Sequence, residues 1–406
     1  GEVGQDSGVN YYAWMALYTS TQNGGDGAYY KSQNEAKDIS WEKAQSISVA
    51  LEANLFKRLN LSIEYFDKTS KGLLFDVNLP SSIGMIGTGS DHTGRPMFTK
   101  NFGSVSNRGF EIGVDADVIR NKDWTWNVGT NLNFLKNKVV ELPKEYGNNG
   151  YIDGTKKYLK GHSIYDFWLY QFAGVDLSNG RSLYLLNDID YYIPDEGYTG
   201  TGAMQKEESR TKMVADYTII NGEAYVYNTT YGKKDWSGGA IPKTYGSFST
   251  SIRYKDFQLA GLFTFQLGGK ILDYSYRNLM SIGAEPSALH KDALNAWTPE
   301  QSGTGIATNG TPALNTSHST YSNSTSTRFL HSSDYLNIKN ITLSYKAPQN
   351  IIGRIGLKGL ILSASVENLA ILTKLQGMNP QQSWNGINDN GYVPARVVTF
   401  GVNANF

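Results

Sequence analysis

The sequence predicts an all-β chain, a transmembrane antiparallel β-barrel with short turns at one end of its strands and long loops at the other. Three observations predict it. Nine segments alternate apolar with polar residues at a period of two. The connections between them alternate short and long. No run of about 20 apolar residues offers a transmembrane helix instead.

The first segment, 46–55, sets Ile47, Val49, Leu51, Ala53 and Leu55 against Ser46, Ser48, Glu52 and Asn54. The second, 59–66, sets Leu59, Leu61, Ile63 and Tyr65 against Asn60, Ser62 and Glu64. In the third, Phe110, Ile112, Val114, Ala116 and Val118 alternate with Glu111, Gly113, Asp115 and Asp117. The fourth, 124–134, places Trp124, Trp126, Val128, Leu132 and Phe134 opposite Thr125, Asn127, Gly129, Asn131 and Asn133. The fifth (247–254, which carries Arg253) and sixth (257–266) meet at Lys255-Asp256. The seventh, 336–345, changes phase near Lys339-Asn340, which predicts a β-bulge. The eighth sets Leu360, Leu362, Ala364 and Val366 against Ser363, Ser365 and Glu367. The ninth, 396–406, puts Val398, Phe400, Val402, Ala404 and Phe406 on one face.

The short connections are 56–58, 120–123, 255–256 and 346–358, and the long ones are 72–108, 135–246, 267–335 and 373–393. They alternate strictly once 135–246 counts as one loop, as a barrel with its C-terminus in the periplasm requires and a sandwich does not. That loop is far longer than an unstructured connection, so it must carry structure of its own, with 165–176 and 181–187 as a small extra hairpin. Residues 1–44 read as an external loop segment leading into the barrel part, 45–406. Trp124, Trp126, Tyr254, Phe257, Phe400 and Phe406 are placed near the periplasmic strand ends, as an interfacial girdle.

Composition narrows the function classes. With 37 basic and 37 acidic residues among 406, the chain gives no electrostatic reason to bind nucleic acid. The absence of cysteine removes disulfides, thiolate metal sites and thiol nucleophiles. The 43 glycines and 27 tyrosines suit many strands, tight turns and aromatic belts. Five histidines are scattered without metal-ligand spacing, and neither a Gly-x-Ser-x-Gly elbow nor a P-loop occurs. Asp188 and Asp190 lack the glycine and distal glutamate of a calcium loop, so no cofactor and no metal is indicated, and the chain does not read as an enzyme. The start at Gly1 lacks a signal peptide, so the chain reads as mature or as a C-terminal piece.

Several stretches resemble one family. They are Ile39-Ser-Trp-Glu-Lys-Ala-Gln-Ser46, Asn101-Phe-Gly-Ser-Val-Ser-Asn-Arg-Gly-Phe-Glu111, 328–345, Ser365-Val-Glu-Asn-Leu-Ala370 and Tyr392-Val-Pro-Ala-Arg-Val-Val-Thr-Phe400. Together, and in this order, they resemble the C-terminal portion of SusC/RagA-type TonB-linked outer-membrane transporters. The resemblance implies a 22-stranded barrel with a plug, which nine or ten strands cannot close, so the plug and the first barrel half are expected outside this chain. A self-contained barrel of about ten strands is the alternative. It also implies import of large nutrients, glycans or peptides, driven by the TonB complex through the absent N-terminal part, with a SusD-like surface lipoprotein as cap. Phe406 fits the terminal aromatic signal of outer-membrane assembly.

Two groups of candidate site residues follow. Glu52, Glu64, Glu111, Asp115, Asp117, Arg253 and Glu367 face the lumen, where they would hold the plug or line the substrate path. Trp168, Tyr170, Tyr191, Tyr192, Trp236, Trp297 and Trp384 lie in or beside the long loops, suited to stacking on sugar rings or anchoring a protein partner. A passive outer-membrane porin and a soluble glycan-binding sandwich are the rival readings.

Overall fold

The computed structural model describes residues 2–5, 12, 14–78, 97–101, 103–193, 212–281, 288–388 and 391–406. Phe102 of the motif before the third strand, and parts of the long connections 72–108, 135–246, 267–335 and 373–393, lie outside these residues. The chain divides into two units, 1–120 with 127–151 and 158–164, and 121–126 with 152–157 and 165–406.

Five long-sheet strands run side by side in the first unit, in chain order and antiparallel: β1 (Glu2–Gln5), β2 (Glu42–Leu55), β3 (Leu59–Lys71), β4 (Ser104–Arg120) and β5 (Trp124–Glu141). Residues 124–126 of β5 group with the second unit. Register carries the sequence alternation across the sheet. Leu51 faces Ile63, which faces Ile112, while on the opposite face Glu64 is paired with Glu111. The second unit repeats the design with β6 (Thr244–Tyr254), β7 (Phe257–Leu267), β8 (Tyr335–Lys346), β9 (Gly359–Thr373) and β10 (Val397–Asn405).

The apolar rows are not packed into a core. Val49 and Leu51 are 67% and 64% exposed, and Phe400 and Val402 are 81% and 73% exposed. The polar rows opposite them are open as well. A sheet of this kind is stable only if the apolar side meets something other than water. The buried apolar clusters lie instead in the long connections. Tyr184, Ile193, Val214 and Val226 anchor one cluster, and Phe167, Leu169, Leu272 and Phe329 anchor another.

Strands β4 and β5 have 17 and 18 residues, longer than the alternating segments from which they were predicted. Their long-connection ends are covered: Val105, Ser106, Asn137 and Val139 are buried. In β4 Ser104, Val105 and Ser106 are buried in succession, and in β5 the buried row carries Asn137 while Val140 on the other face is exposed, so neither end keeps the apolar-polar signal. The motif before the third strand is mostly structural. Asp67 and Arg108 are cross-strand partners joined at 2.9 Å, and Thr69 Oγ1 donates to Asp67 Oδ1 at 3.1 Å. A Cβ on Gly109 would lie 2.1 Å from the Phe134 carbonyl and 2.7 Å from the Phe66 ring, so only glycine fits.

The expected bulge is present. Leu262 pairs with Asn340 and Phe263 with Ile338, leaving Lys339 as the extra residue. The irregularity passes into β9, where Asn368 takes a left-handed φ of 50° and its Oδ1 accepts from Lys339 Nζ at 2.8 Å. The extra hairpin forms only in part, as Phe172–Asp176 against Ser182–Leu185, because Asp166–Tyr170 pairs with Lys234–Gly239 instead. It belongs to a five-stranded sheet with 217–220, 223–226 and 306–307, so 135–246 is no simple loop.

Two elements were not foreseen in 1–44: β1, and a hairpin of Leu17–Asn23 with Asp26–Gln33 turning on Gly24-Gly25, both with positive φ. Their alternation is weak, which hid them. At the short-turn end Trp124 stacks on Tyr254 at 4.4 Å and Phe257 on Tyr345 at 4.6 Å, as a girdle would. Phe400 is a correction. It sits in mid-strand opposite Ala364, because parity fixes the face of a residue but not its height.

Candidate binding site

Period two puts every even residue of β2 and β3 on the polar face, and register then decides which acids meet. Glu52, Glu64 and Glu111 line one open depression of about 330 Å³ with Ser62, Asn131 and Asn133. Ala50 is level with Glu64 and Glu111, and Glu52 is level with Ser62 and Gly113. A Cβ on Gly113 would lie 2.5 Å from Ser62 Oγ, so glycine keeps this floor flat. Asp115 and Asp117 lie nearer the short-turn end and share the Asn127 amide, which donates to them at 3.3 and 3.4 Å. Asp117 also meets Arg120 at 3.4 Å.

The other two predicted wall residues belong to the second unit. Arg253 Nη2 donates to Thr125 Oγ1 at 2.9 Å. Glu367 is exposed, at the last rung that β9 shares with β10. Such a wall offers many charged and amide acceptors to a passing polar solute and no fixed reaction geometry. Among the described residues no group of three His, Asp or Glu side chains is placed to hold a metal ion. Asp190, weighed as a calcium ligand, accepts from Asn187 Nδ2 at 2.8 Å.

The predicted aromatic residues separate into two kinds. Trp168 and Trp236 are cross-strand partners with ring centroids 5.1 Å apart, edge to face, and Lys157 Nζ lies 3.9 Å over Trp168. Both stay half-buried. Trp384 is 77% exposed and meets Tyr165 edge-on at 5.6 Å. These three keep ring surface open.

The rest are used in packing. Trp297 Nε1 donates to the Leu177 carbonyl at 3.2 Å, and its ring lies against Gly180, whose φ is +73°. Tyr170 packs on Tyr184 at 6.5 Å and under Lys234 at 4.7 Å. Tyr191 meets Tyr231 at 5.2 Å, and Tyr192 lies on the short parallel pair with Met213. Tyr184 itself is fully buried, donates to the Tyr321 carbonyl, and has its hydroxyl pKa pushed up to about 12 by burial. Tryptophan and tyrosine in a loop look alike in sequence whether they stack on a ligand or on a neighbour.

Sequence reasoning missed three constellations. Two of the scattered histidines, His290 and His331, meet at one cavity of about 210 Å³ with Asp273, Tyr276, Asp292 and Lys374. Tyr276 donates to Asp292 Oδ2 at 3.1 Å, and burial followed by that carboxylate pushes its pKa up to about 12. Burial lowers the His331 imidazole. Lys156 is buried over the Phe167 ring, 3.1 Å from its centroid, and donates to the Tyr165 carbonyl at 2.9 Å. Burial brings its ammonium down to about 7, with Asp166 opposing the shift. The third is an open groove of about 510 Å³ beside the upper part of β9, lined by Asn337, Asn368, Gln381 and Arg396 among others. These residues come from distant segments, so no local motif announces them.

No protein-family profile matches the sequence. The chain is similar to TonB-dependent receptor P3 of Formosa agariphila, 26% identical over 391 residues, covering 91% of this chain and 34% of that protein. It is also similar to TonB-dependent receptor SusC of Bacteroides thetaiotaomicron, 24% identical, covering 100% of this chain and 37% of the relative. It therefore spans about a third of the length of the curated relatives it matches. In structure it is similar to a chain of the RagAB peptide importer in its closed-closed state, with a TM-score of 0.71 and 21% identity over 99% of this chain and 40% of that one. The likeness shows the fold: the long strands are wall strands of a transmembrane antiparallel β-barrel.

Proposed function

We propose that this chain, which is similar to TonB-dependent receptors of the SusC type and spans about a third of their length, forms wall and external loops at the C-terminal end of the barrel of an outer-membrane importer. The importer takes up large polar nutrients, oligosaccharides or peptides, with energy from the TonB complex. A SusD-like lipoprotein caps its long loops, and the plug and remaining wall come from sequence ahead of this chain. The C-terminus and short turns face the periplasm, and the long connections face outward. The relatives named are receptors and importers, and no reaction is assigned.

The observation that carries this reading is the exposure of the alternate apolar rows, Val49 and Leu51 on one unit and Phe400 and Val402 on the other. Lipid on that side, with water on the carboxylate side, satisfies both faces. Within this reading Glu52, Glu64 and Glu111 line the path or hold the plug, with Asp115, Asp117, Arg253 and Glu367 as further wall. Trp168, Trp236 and Trp384 keep the ring surface that a sugar, a peptide or the capping lipoprotein would contact.

The test uses the full-length protein. Uptake of labelled oligosaccharides and peptides into cells should require both the receptor and an energised TonB complex, and the purified receptor should be nearly silent in planar bilayers. Steady conductance with uptake that ignores TonB would make it a passive porin. Recovery without detergent would make it a soluble module.

A further inference from the structure

In the second unit one wall strand runs on past the end of its neighbour. β9 pairs with β8 along its length, from Lys346↔Ile361 up to Tyr335↔Thr373. On its other side β10 pairs only with 359–367, ending at Glu367↔Val397. Above that rung the segment 391–396 leaves the sheet, held by Asn368 Nδ2 donating to the Ala395 carbonyl at 3.0 Å. Residues 369–373 therefore present a strand edge with no described strand beside it, and the groove of about 510 Å³ lies along this edge.

We propose that this edge takes an extended peptide, added as a strand antiparallel to β9 with its free C-terminal carboxylate against Arg396. The inference rests on the import reading and names the substrate class for this site. Three features select the occupant. First, an unpaired edge offers backbone donors and acceptors at strand spacing, which a peptide main chain matches and a sugar does not. Second, the lining is amide and aliphatic, with Asn337, Asn379, Gln381, Leu369, Ile371 and Met378, and contains no aromatic ring on which a sugar would stack. Third, direction fixes the end group. A strand antiparallel to β9 runs as β10 does, so its C-terminus points to where β10 begins. Arg396 stands there, exposed and with no ion-pair partner among the described residues.

The experiment uses the purified full-length receptor and a fluorescein-labelled hexapeptide of alternating valine and serine with a free carboxylate. Binding is expected. N-methylation at alternate residues in one register should weaken it at least about tenfold, and methylation in the other register should leave it nearly unchanged. Amidating the carboxylate and Arg396→Gln should each cost roughly tenfold and should not add when combined. An Ile371→Cys variant in a cysteine-free background should react with a water-soluble thiol reagent and be protected by the peptide.

Equal effects of both methylation registers, or indifference to both carboxylate and Arg396, would overturn the proposal. So would an unreactive Ile371→Cys in peptide-free receptor, since the edge would then be covered by the rest of the protein. Energised uptake of oligosaccharides with no peptide binding would overturn it while leaving the import reading intact. Peptide binding with no TonB-dependent uptake would do the reverse.

Discussion

Leu51 and Glu52 are neighbours in β2 that face opposite ways, and replacing each by arginine separates a membrane wall from any soluble sheet. Leu51 lies four residues before the end of β2 at Leu55. At about 3.4 Å per residue that is ~14 Å along the strand. A tilt of about 45° sets it ~10 Å above the short turn, near the middle of an apolar band about 25 Å tall. Its neighbours in register, Ile63 and Ile112, make the surrounding surface apolar. Arginine at such a depth costs about 2–4 kcal/mol. Glu52 opens on the wet depression with Glu64 and Glu111, where a guanidinium finds two carboxylates, so Glu52→Arg should cost nothing or stabilise slightly. The assay is denaturant unfolding of the full-length protein in lipid vesicles, followed by the heat-dependent gel shift of a closed barrel. Leu51→Arg should lower the folded-to-unfolded ratio by about thirtyfold or more, with Glu52→Arg close to wild type. Equal losses, or a larger loss at Glu52, would refute the assignment of faces.

Three further outcomes follow from the long connections. Lys156 has its pKa lowered from 10.5 to about 7, so between these values the unfolded chain keeps a proton that the folded chain has released, and stability rises with pH across that window. Lys156→Met should abolish this rise, bounded at about 5 kcal/mol by roughly 1.36 kcal/mol per pH unit, as read from thermal melts of tryptophan fluorescence at pH 6 and pH 10. Asn137 is buried, donates to Asn107 Oδ1 at 2.8 Å and accepts from Ser163 Oγ and the Ile164 amide at 2.7 and 3.0 Å. Asn137→Ala should cost about 1–3 kcal/mol and speed amide exchange at 162–164, measured by mass spectrometry; unchanged exchange would remove it as the anchor. Gly180→Ala would place its Cβ 2.3 Å from the Trp297 ring in a left-handed turn, so it should shift Trp297 emission and cost more than the ~1 kcal/mol of a typical substitution.

The wall was legible in the sequence because each wall strand sees two different solvents, and a two-solvent environment writes itself as alternation. Ile112 next to Glu111 is enough to assign both faces. The bulge at Lys339 was legible for the same reason, since it breaks the phase. What lies above the wall was not. Val105 lies between the buried Ser104 and Ser106, Val139 shares its buried face with the polar Asn137 while Val140 is exposed, and Tyr184 and Trp297 are loop aromatics packed against residues far away in sequence. The site was partly legible: alternation predicted that Glu52, Glu64 and Glu111 share a face, and only register brought them to one depression. The groove beside β9 had no sequence signal, because it arises where a neighbouring strand stops.

The most direct test of the central claim, that alternate residues of the wall meet lipid and water, is a cysteine scan of β10 in outer membranes carrying the full-length protein in a cysteine-free background. Val398→Cys, Phe400→Cys and Val402→Cys should react with a membrane-soluble thiol reagent and resist a water-soluble one, with Thr399→Cys, Gly401→Cys and Asn403→Cys showing the opposite preference. A period of two in that order is the predicted result. Equal reactivity along the strand, or lipid labelling of the odd set, would contradict the account.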